Sequence, residues 1–118
     1  MIKRIVFKGE DMLYGNEQIN PGTWALELKS DQREYLVGRS EKCDLRIKFP
    51  KAKKLGISKL HCILIKEEER IFVEDYPSSD LGTRVNEKML AYNDCVPLNN
   101  NDTITLGFCT YKIEIEKK

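Results

Sequence analysis

Two short stretches carry the side chains best equipped for chemistry. Tyr35-Leu36-Val37-Gly38-Arg39-Ser40 brings an apolar run up to a guanidinium, and Ser58-Lys59-Leu60-His61 offers a hydroxyl followed by an ammonium. Between them stand Lys48, Lys51, Lys53 and Lys54, with no acid after Asp44. Arginine presents a planar fork of N–H donors, and hydrogen bonds to a charged acceptor are the strong ones. Two such loops held side by side would cradle one doubly charged oxyanion.

Catalysis and metal binding have poorer material. His61 and Cys62 are adjacent, and neighbours on a strand point to opposite faces, so they form no direct dyad. The chain holds no other histidine to serve a Cys or Ser nucleophile. Glu67-Glu68-Glu69 is expected at an exposed hairpin tip and not in a cleft where paired acids do catalytic work. The cysteines, Cys43, Cys62, Cys95 and Cys109, form no close pair and with one histidine make no zinc set. The sequence therefore predicts reduced thiols, no metal, no cofactor and no enzyme.

The elements that must position the two loops are strands. Isoleucine occurs eleven times and alanine three times, a balance that suits a pleated, half-buried surface better than a helix. Strands are predicted at Ile2 to Phe7, Trp24 to Leu28, Glu34 to Val37 and Asp44 to Ile47. A hairpin over 62–73 follows, preferred to a helix over 60–71. Shorter fragments are Arg84-Val85-Asn86 and Met89-Leu90. Turn signals stand at Asn20-Pro21-Gly22, Ser30-Asp31-Gln32, 75–83 and Asn99 to Asp102. Along the final stretch Ile104, Leu106 and Phe108 share one face, whereas Tyr111, Ile113 and Ile115 fall on the opposite count. A turn or bulge near Gly107 would return both sets to the core. Short strands at this spacing indicate an all-β sandwich of two sheets, whose loops gather at its ends.

With 118 residues, 41% of them hydrophobic and 33% charged, the chain suits one globular domain. A net charge of +1 gives no global field to attract nucleic acid or an anionic membrane, so anion binding must be local. No apolar run has the length to span a bilayer, and the opening lacks the apolar segment of a signal peptide, which predicts an intracellular protein.

Three motifs now stand in order: Gly38-Arg39-Ser40, Ser58-Lys59-Leu60-His61, and Ser78-Ser79-Asp80-Leu81-Gly82-Thr83-Arg84-Val85-Asn86. Together they resemble the forkhead-associated (FHA) domain, a phosphothreonine-peptide-binding β-sandwich whose pattern is Gly-Arg, Ser-x-x-His and Asn-Gly-Thr-x-Val-Asn. The resemblance covers roughly 23–115. It implies an FHA-like sandwich of two antiparallel or mixed sheets over 23–118, with binding loops at one end. Residues 1–22 are then an N-terminal extension that could add a strand.

By position, Arg39 and Ser58 resemble the residues that hold the phosphate, and Lys59 a further phosphate contact. Ser79 resembles the hydroxyl of the later loop that completes the cradle. Gly38, His61, Gly82, Thr83 and Asn86 resemble scaffold positions, His61 being structural. Leu81 stands where the family has an Asn that anchors the ligand main chain, and the loop is one residue longer. Leucine cannot make those hydrogen bonds, so Asp80 is the candidate substitute. Leu55, Gly56, Ile57 and Leu81 occupy places that read the flanking ligand side chain, which implies an apolar preference.

The resemblance implies a non-catalytic module recognising phosphothreonine-containing partner proteins in kinase-dependent signalling. It also favours a nuclear over a cytoplasmic location, and because such domains are often fused to kinases, transcription factors or repair proteins, the chain is open to being one domain of a larger protein. Because of Leu81, a phospho-independent interaction domain on the same fold stays open. Nucleic-acid binding has only the lysine loop behind it.

Overall fold

The computed structural model describes residues 1–118. In it β1 (Ile2–Gly9), β4 (Thr23–Glu27), β9 (Thr83–Val85), β10 (Lys88–Met89), β12 (Thr103–Leu106) and β13 (Cys109–Lys117) form one sheet, in the order β10-β9-β12-β13-β1-β4. A second sheet takes β5 (Glu34–Gly38), β6 (Leu45–Arg46), β7 (Cys62–Glu67), β8 (Arg70–Asp75) and β11 (Cys95–Leu98), in the order β11-β8-β7-β5-β6. β2 (Met12–Tyr14) and β3 (Glu17–Ile19) pair only with each other. The β5–β6 ladder is parallel and the others are antiparallel. The architecture is the all-β sandwich that the spacing of strands and turns predicts.

Period-two alternation builds the core. Ile5, Phe7, Leu26, Ile104, Tyr111 and Ile113 from one sheet and Tyr35, Val37, Leu64, Ile71 and Val73 from the other belong to a single buried cluster. The parity change near Gly107 is a turn: Gly107 has φ 64°, and Leu106 and Tyr111 are both fully buried on either side of it. Phe108 departs from expectation. The strand ends at Leu106, so Phe108 sits on the turn, 61% exposed, instead of sharing the core face of Ile104 and Leu106.

Residues 1–22 contribute more than an appended edge. β1 is an inner strand between β13 and β4, and Ile2, Ile5 and Phe7 enter the core. The Asn20-Pro21-Gly22 turn returning to β4 is fixed by its carbonyl: Trp24 Nε1 and Tyr111 Oη donate to the Pro21 oxygen at 2.8 and 3.0 Å.

Ladder register defines two poles. At one, Ile2 lies opposite Lys117, the Lys118 amide donates to the Met1 carbonyl at 3.0 Å, and the Met1 ammonium pairs with Glu69. At the other, Leu106 faces both Thr83 and Cys109, and Cys62 faces Asp75, so the loops after β5, before β7, after β8 and between β12 and β13 converge.

Candidate anion-binding site

The loop after β5 and the loop before β7 are stitched together through their backbones. Arg39 N donates to Ser58 O at 3.1 Å and Ser40 N to Lys59 O at 3.0 Å. Gly38 permits this approach, because a Cβ there would lie 2.2 Å from the Lys59 carbonyl oxygen. The Arg39 side chain follows the same path: its Nε donates to the Ile57 carbonyl. That tether leaves the terminal nitrogens of a half-buried guanidinium free, and the side chain pairs with no carboxylate.

Ser58 is oriented from two sides. Its backbone N–H donates to His61 Nδ1 at 3.0 Å, and its Oγ accepts the Asp80 N–H at 3.1 Å. With a lone pair engaged, the hydroxyl keeps its hydrogen to donate outward. His61 is fully buried, and its Nε2 lies 2.8 Å from the Gly82 carbonyl. Since Nδ1 accepts, Nε2 carries the proton and donates, so the neutral ring bridges two loops. Burial holds its pKa below the ordinary histidine range, outweighing the pull of the Gly82 carbonyl and of Asp75 and Asp80. The neighbouring Cys62 is fully buried, and burial pushes its thiol up.

The third loop is organised by a residue whose role the sequence does not reveal. Asp75 Oδ1 accepts from Ser79 Oγ at 2.8 Å and from the buried Thr83 Oγ1 at 2.7 Å. Ser79, predicted to complete the cradle, thus has its hydroxyl hydrogen on Asp75 and holds the loop in shape. Asp80 contributes its backbone N–H to Ser58, while its side chain is exposed. Leu81 leans over Gly56: a Cβ on Gly56 would lie 2.4 Å from Leu81 Cδ1, and Leu81 is 43% exposed.

Leu55 and Ile57 cannot read a ligand as the sequence suggested, because both are only 1% exposed and belong to the core. Exposed apolar surface comes instead from Leu81, Met89 and Phe108. Met89 reaches Gly82, and Phe108 follows Gly107, which packs on Gly56. Asn86 lies at the far end of β9, with φ 55°; its Oδ1 accepts from Thr103 N, so it supports β12 and not the cradle.

Lys59 is exposed at the mouth of the site and has no acidic partner, as do Lys48, Lys53 and Lys54 further back along the loop. Lys51 differs: it pairs with Glu17 of β3 and sits 5.4 Å from the Tyr14 ring, bracing the β2–β3 hairpin. No group of three or more His, Cys, Asp or Glu has metal-holding geometry.

No curated protein matches the chain significantly in sequence. Solved structures match its fold over nearly its whole length. An FHA domain of an Arabidopsis thaliana hypothetical protein shares 19% identity at a TM-score of 0.68, covering 98% of this chain and 88% of that one. The FHA domain of CT664 from Chlamydia trachomatis shares 19% at 0.64, covering 97% and 99%. The MEK1 FHA domain, solved with a phosphothreonine peptide of HOP1, shares 21% at 0.61, covering 99% and 100%. At these identities the likeness concerns the fold. The sequence model of the FHA domain, however, matches residues 35–107, which span all three loops and more than half of the chain. On that match, the chain belongs to the FHA domain family.

Proposed function

We propose that this domain is a non-catalytic module that binds phosphothreonine-containing partner peptides through Arg39, Ser58 and Lys59. The observation behind this reading is the stitching of the Arg39 and Ser58 loops, with a tethered guanidinium and a hydroxyl oriented by Asp80 N–H on one rim. A phosphothreonine carries nearly two negative charges and several acceptor oxygens. The fork, the hydroxyl and the Lys59 ammonium supply matching donors without costing a buried ion pair. Ser79, Thr83, Gly38, Gly82 and His61 position those donors.

His61 does not serve as a general base in this reading, since both its nitrogens bond backbone groups. The exposed Leu81, Met89 and Phe108 supply apolar surface for residues flanking the phosphate. They also give a second reading its footing, in which those side chains bind a partner without phosphate. Titration of a phosphothreonine peptide and its unphosphorylated twin, against the wild type and Arg39→Ala, separates the two. The main reading expects binding only of the phosphorylated peptide, weakened at least tenfold by the substitution. Equal affinity for the two peptides overturns it.

A further inference from the structure

Across the parallel ladder from Gly38 lies Arg46. Its Nε donates to the Arg39 main-chain carbonyl at 3.1 Å, so a second guanidinium is anchored on the backbone of the residue that carries the first. No protein group accepts from its two terminal nitrogens, and it pairs with no carboxylate. Neither neighbouring acid forms an ion pair with it. Asp44 is occupied by Leu36 N at 2.7 Å and by Gln32 Nε2 at 2.9 Å, and Glu41 is exposed. Leu45 and Ile47 turn into the core, so Arg46 and Lys48 both project to solvent on the outer face. Between residues 39 and 59 the chain carries eight basic side chains and two acidic ones, and only Lys51 among the basic ones is paired.

From this arrangement we infer that Arg46, seconded by Lys48, forms a second anion subsite beside the phosphate cradle. The ligand class is then a phosphothreonine peptide carrying another anionic group, an acidic side chain or a second phosphate. This rests on the phosphothreonine reading of Arg39 and Ser58 and narrows it. Arg46 is anchored on the main chain of Arg39 itself, and an extended peptide advances about 3.3 Å per residue, so the positions to test are the few residues next to the phosphothreonine. A fork held at Nε offers its two terminal N–H₂ groups to one acceptor pair, and a phosphate, with nearly two charges, gains more than a carboxylate.

The test uses degenerate peptides with one fixed phosphothreonine, and parallel sets with a phosphoserine or an aspartate one, two or three residues to either side. Affinities are measured for the wild type, Arg46→Gln, Lys48→Gln and the distant control Lys112→Gln, with thermal melting to confirm the fold. The expected result is a gain of about tenfold from a correctly placed second phosphate and a smaller one from aspartate. That ratio falls towards one in Arg46→Gln, falls partly in Lys48→Gln and is kept in Lys112→Gln. Equal affinity for the singly and doubly anionic sets, or a gain that survives Arg46→Gln, overturns the inference alone. If the wild type binds the unphosphorylated set as well as the phosphothreonine set, the underlying reading falls and takes the inference with it.

Discussion

A guanidinium tethered through Nε to the Ile57 carbonyl is in place before any ligand arrives, which lowers the ordering cost of binding. Arg39→Lys keeps the charge yet loses both tether and fork. It should weaken phosphopeptide binding about tenfold or more in a calorimetric titration, with little change in melting temperature. His61 makes a separate prediction. Its folded-state pKa lies below the ordinary value, so above about pH 6.5 both folded and unfolded states are neutral and its contribution is complete. As pH falls below that value the unfolded chain takes up a proton that the folded chain resists, and stability is lost. Denaturant melts between pH 7.5 and 5 should show this decline, and His61→Asn should flatten its histidine part. Arg39, Ser58 and His61 were legible because each lies inside a short contiguous motif. Asp75 was not: its partners Ser79 and Thr83 are recruited by a loop that curls back, and no spacing announces that curl.

The strands of four residues or more are legible in the sequence except β11, whose Pro97 argues against a strand there. The hairpin of β7 and β8 was expected from its dense β-formers, and the Gly107 turn from a change of parity. The β2–β3 hairpin leaves no strand signal in the sequence because its three-residue strands bury little, with Leu13 72% exposed. Loop contacts were harder still. The seam between the loop before β7 and the β12–β13 turn runs through Gly56, which has φ 87° and would place a Cβ 3.2 Å from Gly107 Cα. Gly56→Ala should therefore cost about 1–3 kcal/mol in chemical denaturation. It should also displace Leu81 and alter which residues are preferred beside the phosphate, while the requirement for phosphate itself remains.

At the scale of the whole molecule, β1 decides what counts as the domain. Removing it would leave β13 and β4 with unpaired edges and strip Ile5 and Phe7 from a shared core. The fragment 23–118 should accordingly fail to unfold cooperatively, as followed by near-ultraviolet circular dichroism, although the recognisable motifs all lie within it. Charge is also unevenly spread: the segment 39–59 is strongly basic while the net charge is +1, so the rest of the surface is acidic in sum. Association with an anionic peptide should slow as salt rises, and dissociation should change less. No helix is long and apolar enough to cross a membrane.

The handclasp of Met1 and Lys118 at the pole away from the loops has an engineering consequence. A short glycine-serine bridge could close the backbone into a ring, and the ring could be reopened at the exposed Gly15 tip. Such a circular permutant should recognise the same ligands as its parent. Spliced through Met1 and Lys118 into a loop of a carrier protein, the sandwich would stand on that carrier with the converging loops facing outward.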